Sequence, residues 1–314
     1  MEKKLYKIKP ILQETVWGGR GIIDYYHLDT DLNNVAEMYH VIALKNHFDN
    51  EVLETEETLS AFYENYPELF DCDCPVFPIR MATSCAERKQ SYHLHPDNEY
   101  AWKHEHCLGK ATGSILYEPK GEIRRRFFGH NAKTLSEFKE KVENNDWDYL
   151  CKYIDIRDDQ FFHTIPGLIH GGGGSANPQL SIAFAQNSDI TYRAYDFGRN
   201  DPNRKLHLEQ VYDCINVPDI ECKPIDVVPR KEKGCIISDY YDCPEEYTAK
   251  RIDIEDEGRF ERDEFYFLLN AKGEGSIDNE EIRMGETVFV PAHYGEIVLR
   301  GKMKLYLISY RENV

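Results

Sequence analysis

Long hydrophobic runs are missing from this chain of 314 residues, and its opening, MEKKLYKIKPILQETVWGGR, has no apolar core of the secretory type. Nothing approaches the roughly 20 apolar residues that cross a bilayer as a helix. A cytoplasmic protein with no membrane partner is expected. Basic charge is also scarce: 38 Lys plus Arg face 56 Asp plus Glu, a formal net charge of −18. That balance argues against nucleic acid and against anionic membrane surfaces as partners. A small anionic molecule stays open as a ligand, provided that lysines and arginines cluster locally. Glycine (20) and proline (14) are too few for a low-complexity chain. Cysteines number nine, an odd count without a framework spacing, which reads as reduced thiols and not as disulfides. Cys72-Asp-Cys74 with Cys85 is a conceivable zinc set, but it lacks a paired CxxC partner and free thiols are the simpler reading.

What the chain does have is strand signal. Residues 4–12 alternate and run into a turn at Trp17-Gly18-Gly19; short strands are expected at 39–43, 77–81 and 91–95, where β-branched and aromatic residues lie between turn formers. Helices are few. Residues 58–65, capped at Thr58, form one; a second starts at Thr134 with Leu135, Phe138 and Val142 on one face, and 146–153 adds a short third. Alternation returns from Ile154. Residues 217–233 read as a linker, and beyond it come strands at 247–254, 265–269, 274–277, 286–290, 296–299 and 304–309, with turns at Gly273, Gly285 and Gly301. This rhythm belongs to jelly rolls and barrels. The chain is therefore expected to be mainly β, with two barrel units and a few short helices. Residues 1–220 would form the metal-binding unit, and 221–314 a metal-free one, since His293 stands alone there.

The chemistry concentrates in histidines. His93 and His95 alternate in a strand and so face one side. His170, in Pro166-Gly-Leu-Ile-His170, offers a third imidazole from a distant turn. Three such ligands suit a divalent ion of Zn, Fe, Ni or Cu and leave positions open for water or substrate. The competing reading is a hydrogen-bonded core histidine. Glu99 would extend a His-x-His-x3-Glu pattern, although Asp97-Asn-Glu99 reads more simply as the start of a loop or helix; His104 and His106 are spare candidates on what looks like a solvated loop.

Several motifs together resemble the type I mannose-6-phosphate isomerases, metal-dependent cupins, in their short bacterial form. They are Val16-Trp-Gly-Gly19, Phe77-Pro78, Ser91-Tyr-His-Leu-His-Pro-Asp97, Leu108-Gly-Lys110, Gly129-His130, Asn145-Asp-Trp147, Pro166 to His170, Met284 to Pro291 and, most specifically, Gln186-Asn-Ser-Asp-Ile-Thr-Tyr-Arg-Ala-Tyr-Asp196. The resemblance covers most of the chain. It implies two cupin units and isomerisation of an aldose to a ketose through an enediol. One divalent metal ion, most commonly zinc, and an anionic sugar substrate are implied as well. By the same resemblance His95 and His170 fall on metal-ligand positions, His93 on a position usually occupied by glutamine, Arg193 on the active-site arginine and Lys110 on a lysine beside the site. Four positions depart. Thr112 stands where a glutamate ligand is usual, Ala82 where a lysine is, Ala183 where a second glutamate is, and Gly172 where a tyrosine is.

Arg193 and Lys110 are thus the expected catalytic and substrate-binding residues. Arg193 faces a rival role as a salt-bridge partner of Asp189 or Asp196, and Lys110 as a surface lysine. Arg124-Arg-Arg126 reads as a solvated edge strand, with phosphate contact as the alternative, and Gly171 to Gly174 as a pliant loop. The general base is left open. So is the sugar: a free, deoxy or sulfonated hexose, or a binding role without catalysis, stand beside the phosphorylated substrate. A monomer or homodimer is expected.

Overall fold

A computed structural model describes residues 1–118, 121, 123–174, 179–199 and 201–312. The expected mainly β architecture is present, as three antiparallel sheets with six short α-helices among the described residues. A six-stranded sheet runs in the order Phe161–Thr164, Thr112–Glu118, Leu180–Gln186, Ile79–Cys85, Val35–Val41 and Ile11–Gly19. A five-stranded sheet holds Cys151–Ile156, Arg124–His130, His170–Gly172, Gln90–Leu94 and Tyr192–Tyr195. Both line one cavity, jelly-roll fashion.

Alternation in the six-stranded sheet explains its two faces. Ile79, Met81, Ile115, Ile182 and Phe184 point into the largest core, against Phe267, Phe289, Tyr306 and Ile308 of the C-terminal strands. Arg80, Ser84, Thr112, Ser114, Ser181, Ala183 and Ala185 point the other way and line the cavity. This sheet is therefore a middle layer, apolar behind and small or polar in front. The five-stranded sheet buries its outer face beneath the helices Leu135–Glu143, Trp147–Leu150 and Leu208–Cys214, through Phe127, Ile169 and Tyr192 against Phe138, Trp147 and Val211. The third sheet has eleven strands and a second core of its own, built on Tyr266, Leu268, Val288, Leu305 and Leu307.

Several local expectations need correction. Pro10 divides the expected first strand. Tyr6–Lys9 pairs with Thr287–Val290 in the C-terminal sheet, while Ile11–Gly19 pairs with Val35–Val41, and its strand continues through Trp17-Gly18-Gly19 without a turn. The strands expected at 265–269 and 274–277 are one strand, Tyr266–Ile277; those at 296–299 and 304–309 are likewise one, Ile297–Ser309. Gly273 and Gly301 sit inside these strands at φ +89° and +112°, where a Cβ would lie 1.9 Å from Lys302 O or 2.5 Å from Glu274 O. They bend paired strands and do not end them. Helix Leu59–Asn65 is capped by Thr58, as expected, and Leu135–Glu143 starts one residue later than expected, with Thr134 as its cap. Leu135, however, is exposed while Phe138 and Val142 are buried. The third helix spans only Trp147–Leu150 before the chain turns into a strand. Arg124–His130 is an inner strand paired on both sides, not an edge. All nine cysteines are free thiols.

Candidate metal centre

Strand register assembles the site. His170 lies opposite both Phe128 and His93, and His93 lies opposite Arg193. Phe128, His170, His93 and Arg193 thus form one row across four strands, and all four line the cavity. His95 follows just past the end of Gln90–Leu94. Its carbonyl accepts from Gly167 N at 2.8 Å, which draws the loop leading to His170 against it. The three imidazole centroids stand 5.4, 4.4 and 5.1 Å apart (93–95, 93–170, 95–170), and their ligating nitrogens fall within 4.8 Å of one another.

Backbone carbonyls set the tautomers. Nδ1 of His93 is 2.8 Å from Ser91 O, Nδ1 of His95 is 2.7 Å from Ile190 O, and Nδ1 of His170 is 2.9 Å from Leu168 O. A carbonyl only accepts, so each Nδ1 carries the proton and each Nε2 keeps a lone pair. Burial pushes all three histidines well below the usual range, His170 to about 4, and the charge of Lys110 adds to this. The rings are neutral near pH 7, as metal ligands must be. Their donor set fits a borderline divalent ion such as zinc.

The other expected residues reach the same cavity, whose volume is about 400 Å³. Lys110 is buried. Its N–H donates to Pro96 O at 3.0 Å, so the chain returns beside His95 after the excursion of helix Asn98–Glu105. Burial, reinforced by Arg80, lowers its ammonium to about 8. Arg193 pairs with neither aspartate suggested by the sequence. Asp189 is bound by Arg80 (3.3 Å) and His47 (3.2 Å), and Asp196 by Arg199 and Arg204. Arg193 Nε is buried without a partner, and burial beside Arg204 lowers its pKa. Its guanidinium is left for an anionic guest.

Glu99, His104 and His106 are exposed on or just after helix Asn98–Glu105 and play no part in the cluster; His104 stacks on Tyr100 at 4.2 Å. Thr112 and Ala183 line the cavity, while Ala82 is buried beneath Tyr39 and Ile42.

Sequence reasoning missed Glu37, Arg80, Arg204 and His207 as cavity residues, and held Arg126 only as an alternative phosphate contact on a solvated edge. The available signal was a charged residue within an apolar strand. Arg80, buried, donates to Glu37 at 3.2 Å and to Asp189 at 3.3 Å, with its guanidinium over the Tyr39 ring at 4.6 Å. Five cations (Arg80, Lys110, Arg126, Arg193, Arg204) and two carboxylates (Glu37, Asp189) line the cavity, so its walls are cationic although the molecule is strongly acidic. No helix is long and apolar enough to cross a membrane among the described residues.

No family model matches the chain. It is 29% identical to the probable mannose-6-phosphate isomerase GmuF of Bacillus subtilis, over 96% of this chain and 98% of that protein. It is 30% identical to a mannose-6-phosphate isomerase of Streptococcus mutans, over 69% and 68%. Among solved structures, the mannose 6-phosphate isomerase of Bacillus subtilis superposes with a TM-score of 0.89 at 24% identity, covering 97% of this chain and 99% of that one.

Proposed function

The chain belongs to the mannose-6-phosphate isomerase family, and from that premise we propose that it interconverts mannose 6-phosphate and fructose 6-phosphate at the three-histidine centre. The observation that carries this reading is the convergence of three neutral imidazole Nε2 atoms on one wall of a cation-lined cavity. His93, His95 and His170 would hold one divalent metal ion, zinc by preference. Bound there, such an ion would supply Lewis-acid stabilisation of the negative charge that develops as the proton leaves carbon.

The chain's own residues do the rest. Moving a proton between C2 and C1 of an aldose passes through an enediolate, whose charge needs donors already in place. Arg193, next to His93 in register and without a carboxylate partner, supplies a planar fork of N–H donors there. Lys110, lowered to about 8, is charged at neutral pH yet close enough to its pKa to pass a proton. Glu37 and Asp189, the carboxylates on the cavity wall among the described residues, are both tied to Arg80 and are weak replacements for the glutamates absent at Thr112 and Ala183. Phe128 and Phe162 give the cavity an apolar patch, with the Phe128 ring 6.4 Å from that of His170.

We further propose a metal-holding unit of residues 1–220 and a metal-free cupin-like unit of 221–314. The second is completed by the strand Tyr6–Lys9. A cytoplasmic monomer or homodimer fits this reading.

A second reading keeps the reaction and changes the sugar. Ala82 is buried under Tyr39, so no cation reaches the cavity from a position where the family usually has lysine. Metal analysis paired with an aldose–ketose panel tests both. Stoichiometric metal with turnover of mannose 6-phosphate is the expected result. Turnover of only a different hexose would favour the second reading, and metal-free protein that binds sugar without turnover would overturn both.

A further inference from the structure

Two of the cations on the cavity wall belong to the histidine neighbourhood. Lys110 and Arg193 both act on the titration of His93, and Lys110 acts on His95 and His170. Arg80 and Arg204 are neutralised by carboxylates. Arg126 fits neither group. It lines the same cavity, partly buried, yet no carboxylate of the described residues comes within ion-pair distance and none of its guanidinium nitrogens has a protein hydrogen-bond partner there. The charge it feels most is another cation, Arg124. A desolvated guanidinium without a counter-charge is costly to keep. It makes sense where a mobile anion completes it.

Position gives the anion its identity. Arg126 is two residues before Phe128 on one strand, so both side chains face the cavity. Phe128 belongs to the row that contains His170 and His93. Two residues of antiparallel strand span roughly 7 Å. Covalent geometry puts a phosphorus on O6 of a hexose at roughly the same distance from C2. The neighbouring chain keeps this place open. Gly173 has φ +56°, and a Cβ there would stand 2.3 Å from Arg126 Nη1; Gln90, opposite Gly172 in register, adds a polar side chain on the same wall.

We propose that Arg126 forms a separate anion subsite which holds the phosphate end of the sugar one strand step from the metal row, while Arg193 and Lys110 serve the reacting end. The identity of the sugar rests on the isomerase reading above; the anion site itself does not. It also accounts for a phosphosugar pocket that has alanine at position 82, since the binding charge comes from the opposite sheet.

Two measurements on zinc-loaded protein test this with Arg126→Met. The first is calorimetric titration with inorganic phosphate. The variant should bind it on the order of 10- to 100-fold more weakly than the parent protein. The second is turnover. KM for mannose 6-phosphate should rise by the same order with kcat little changed, whereas turnover of unphosphorylated mannose should stay within about twofold. Melting temperature should rise or hold, because an unpaired charge has been removed from a desolvated wall. If Arg126→Met does not fold, Arg126→Lys takes its place, with weaker phosphate binding and unchanged mannose turnover expected. Phosphate affinity unchanged in the variant, phosphate binding absent from the parent, or equal losses on both sugars would overturn the proposal. Failure of the parent to turn over any hexose phosphate would instead count against the isomerase reading, and the phosphate titration would still decide on Arg126.

Discussion

Three backbone carbonyls, of Ser91, Ile190 and Leu168, decide what the imidazoles can do, because each fixes a proton on Nδ1 and frees Nε2. The spacing His-x-His announced two of these rings and the Pro166 to His170 resemblance the third. The carbonyl partners were not legible, since backbone acceptors leave no mark on side-chain sequence. By the family resemblance, His93 falls on a position usually held by glutamine, or by lysine in some short members. His93→Gln should therefore keep bound metal, with affinity about 10- to 100-fold weaker by chelator competition, while His93→Ala should lose it under the same conditions. Lys110 gives a pH signature. Burial lowers its pKa from 10.5 to about 8, so the ammonium is present at pH 7 and lost as pH rises through 8. If its charge serves substrate binding or proton transfer, kcat/KM should fall on the alkaline side with a midpoint near 8. Lys110→Arg, which stays charged, should remove that limb from the pH profile at reduced kcat.

Among the elements, the strands Thr112–Glu118 and Leu180–Gln186 determine how much chemistry the cavity floor supplies. Thr112 lies opposite Ala185, and Ala183 opposite Ser114, all facing the cavity with short, uncharged side chains. Thr112 Oγ1 donates to Phe184 O at 3.0 Å and is thereby turned to the backbone. Thr112→Glu would place a carboxylate on the floor near the imidazoles. The expected result is metal retention against about tenfold more chelator; a melting loss without tighter metal would show that the glutamate cannot reach. Element types read well from sequence where a local rule applied, as with the Thr58 cap and the one-face spacing of Phe138 and Val142. Sheet membership did not. Alternation fixes which face a residue takes but not which strand lies beside it, so the N-terminal strand's pairing with Thr287–Val290 depended on contacts far along the chain. The Gly273 and Gly301 bends misled for a related reason, since glycine marks a turn and a close strand crossing alike.

For the whole molecule, the formal charge of −18 argues against nucleic-acid partners yet hid the cationic cavity, which exists because two sheets and the loops beside them bring Arg80, Lys110, Arg126, Arg193 and Arg204 together. Fold class was legible because every strand had to satisfy the same period. The layer order was not, because the shared core joins residues from Tyr6 to Tyr310. That core and its rim hold neutral histidines remote from the metal row. Burial lowers His40 to about 3, with Nε2 2.9 Å from Thr83 Oγ1, and His163 to about 4. Each folded pKa lies below the unfolded value near 6.5, so the unfolded chain binds more protons and stability falls as pH drops below 6.5. The loss is about 2 kcal/mol per histidine by pH 5. Thermal unfolding between pH 7.5 and 5 should show a falling melting temperature, with a shallower slope in His40→Gln; an unchanged slope would mean that His40 is not held neutral.

One metal ion, held by three imidazoles, is expected to be required for turnover. Mannose 6-phosphate isomerisation measured before chelation, after chelation and after readdition of one equivalent of zinc tests it most directly. The parent protein should lose activity on chelation and regain it with zinc, and His95→Ala should stay inactive throughout. Activity that survives complete removal of metal, or a His95→Ala protein as active as the parent, would contradict it.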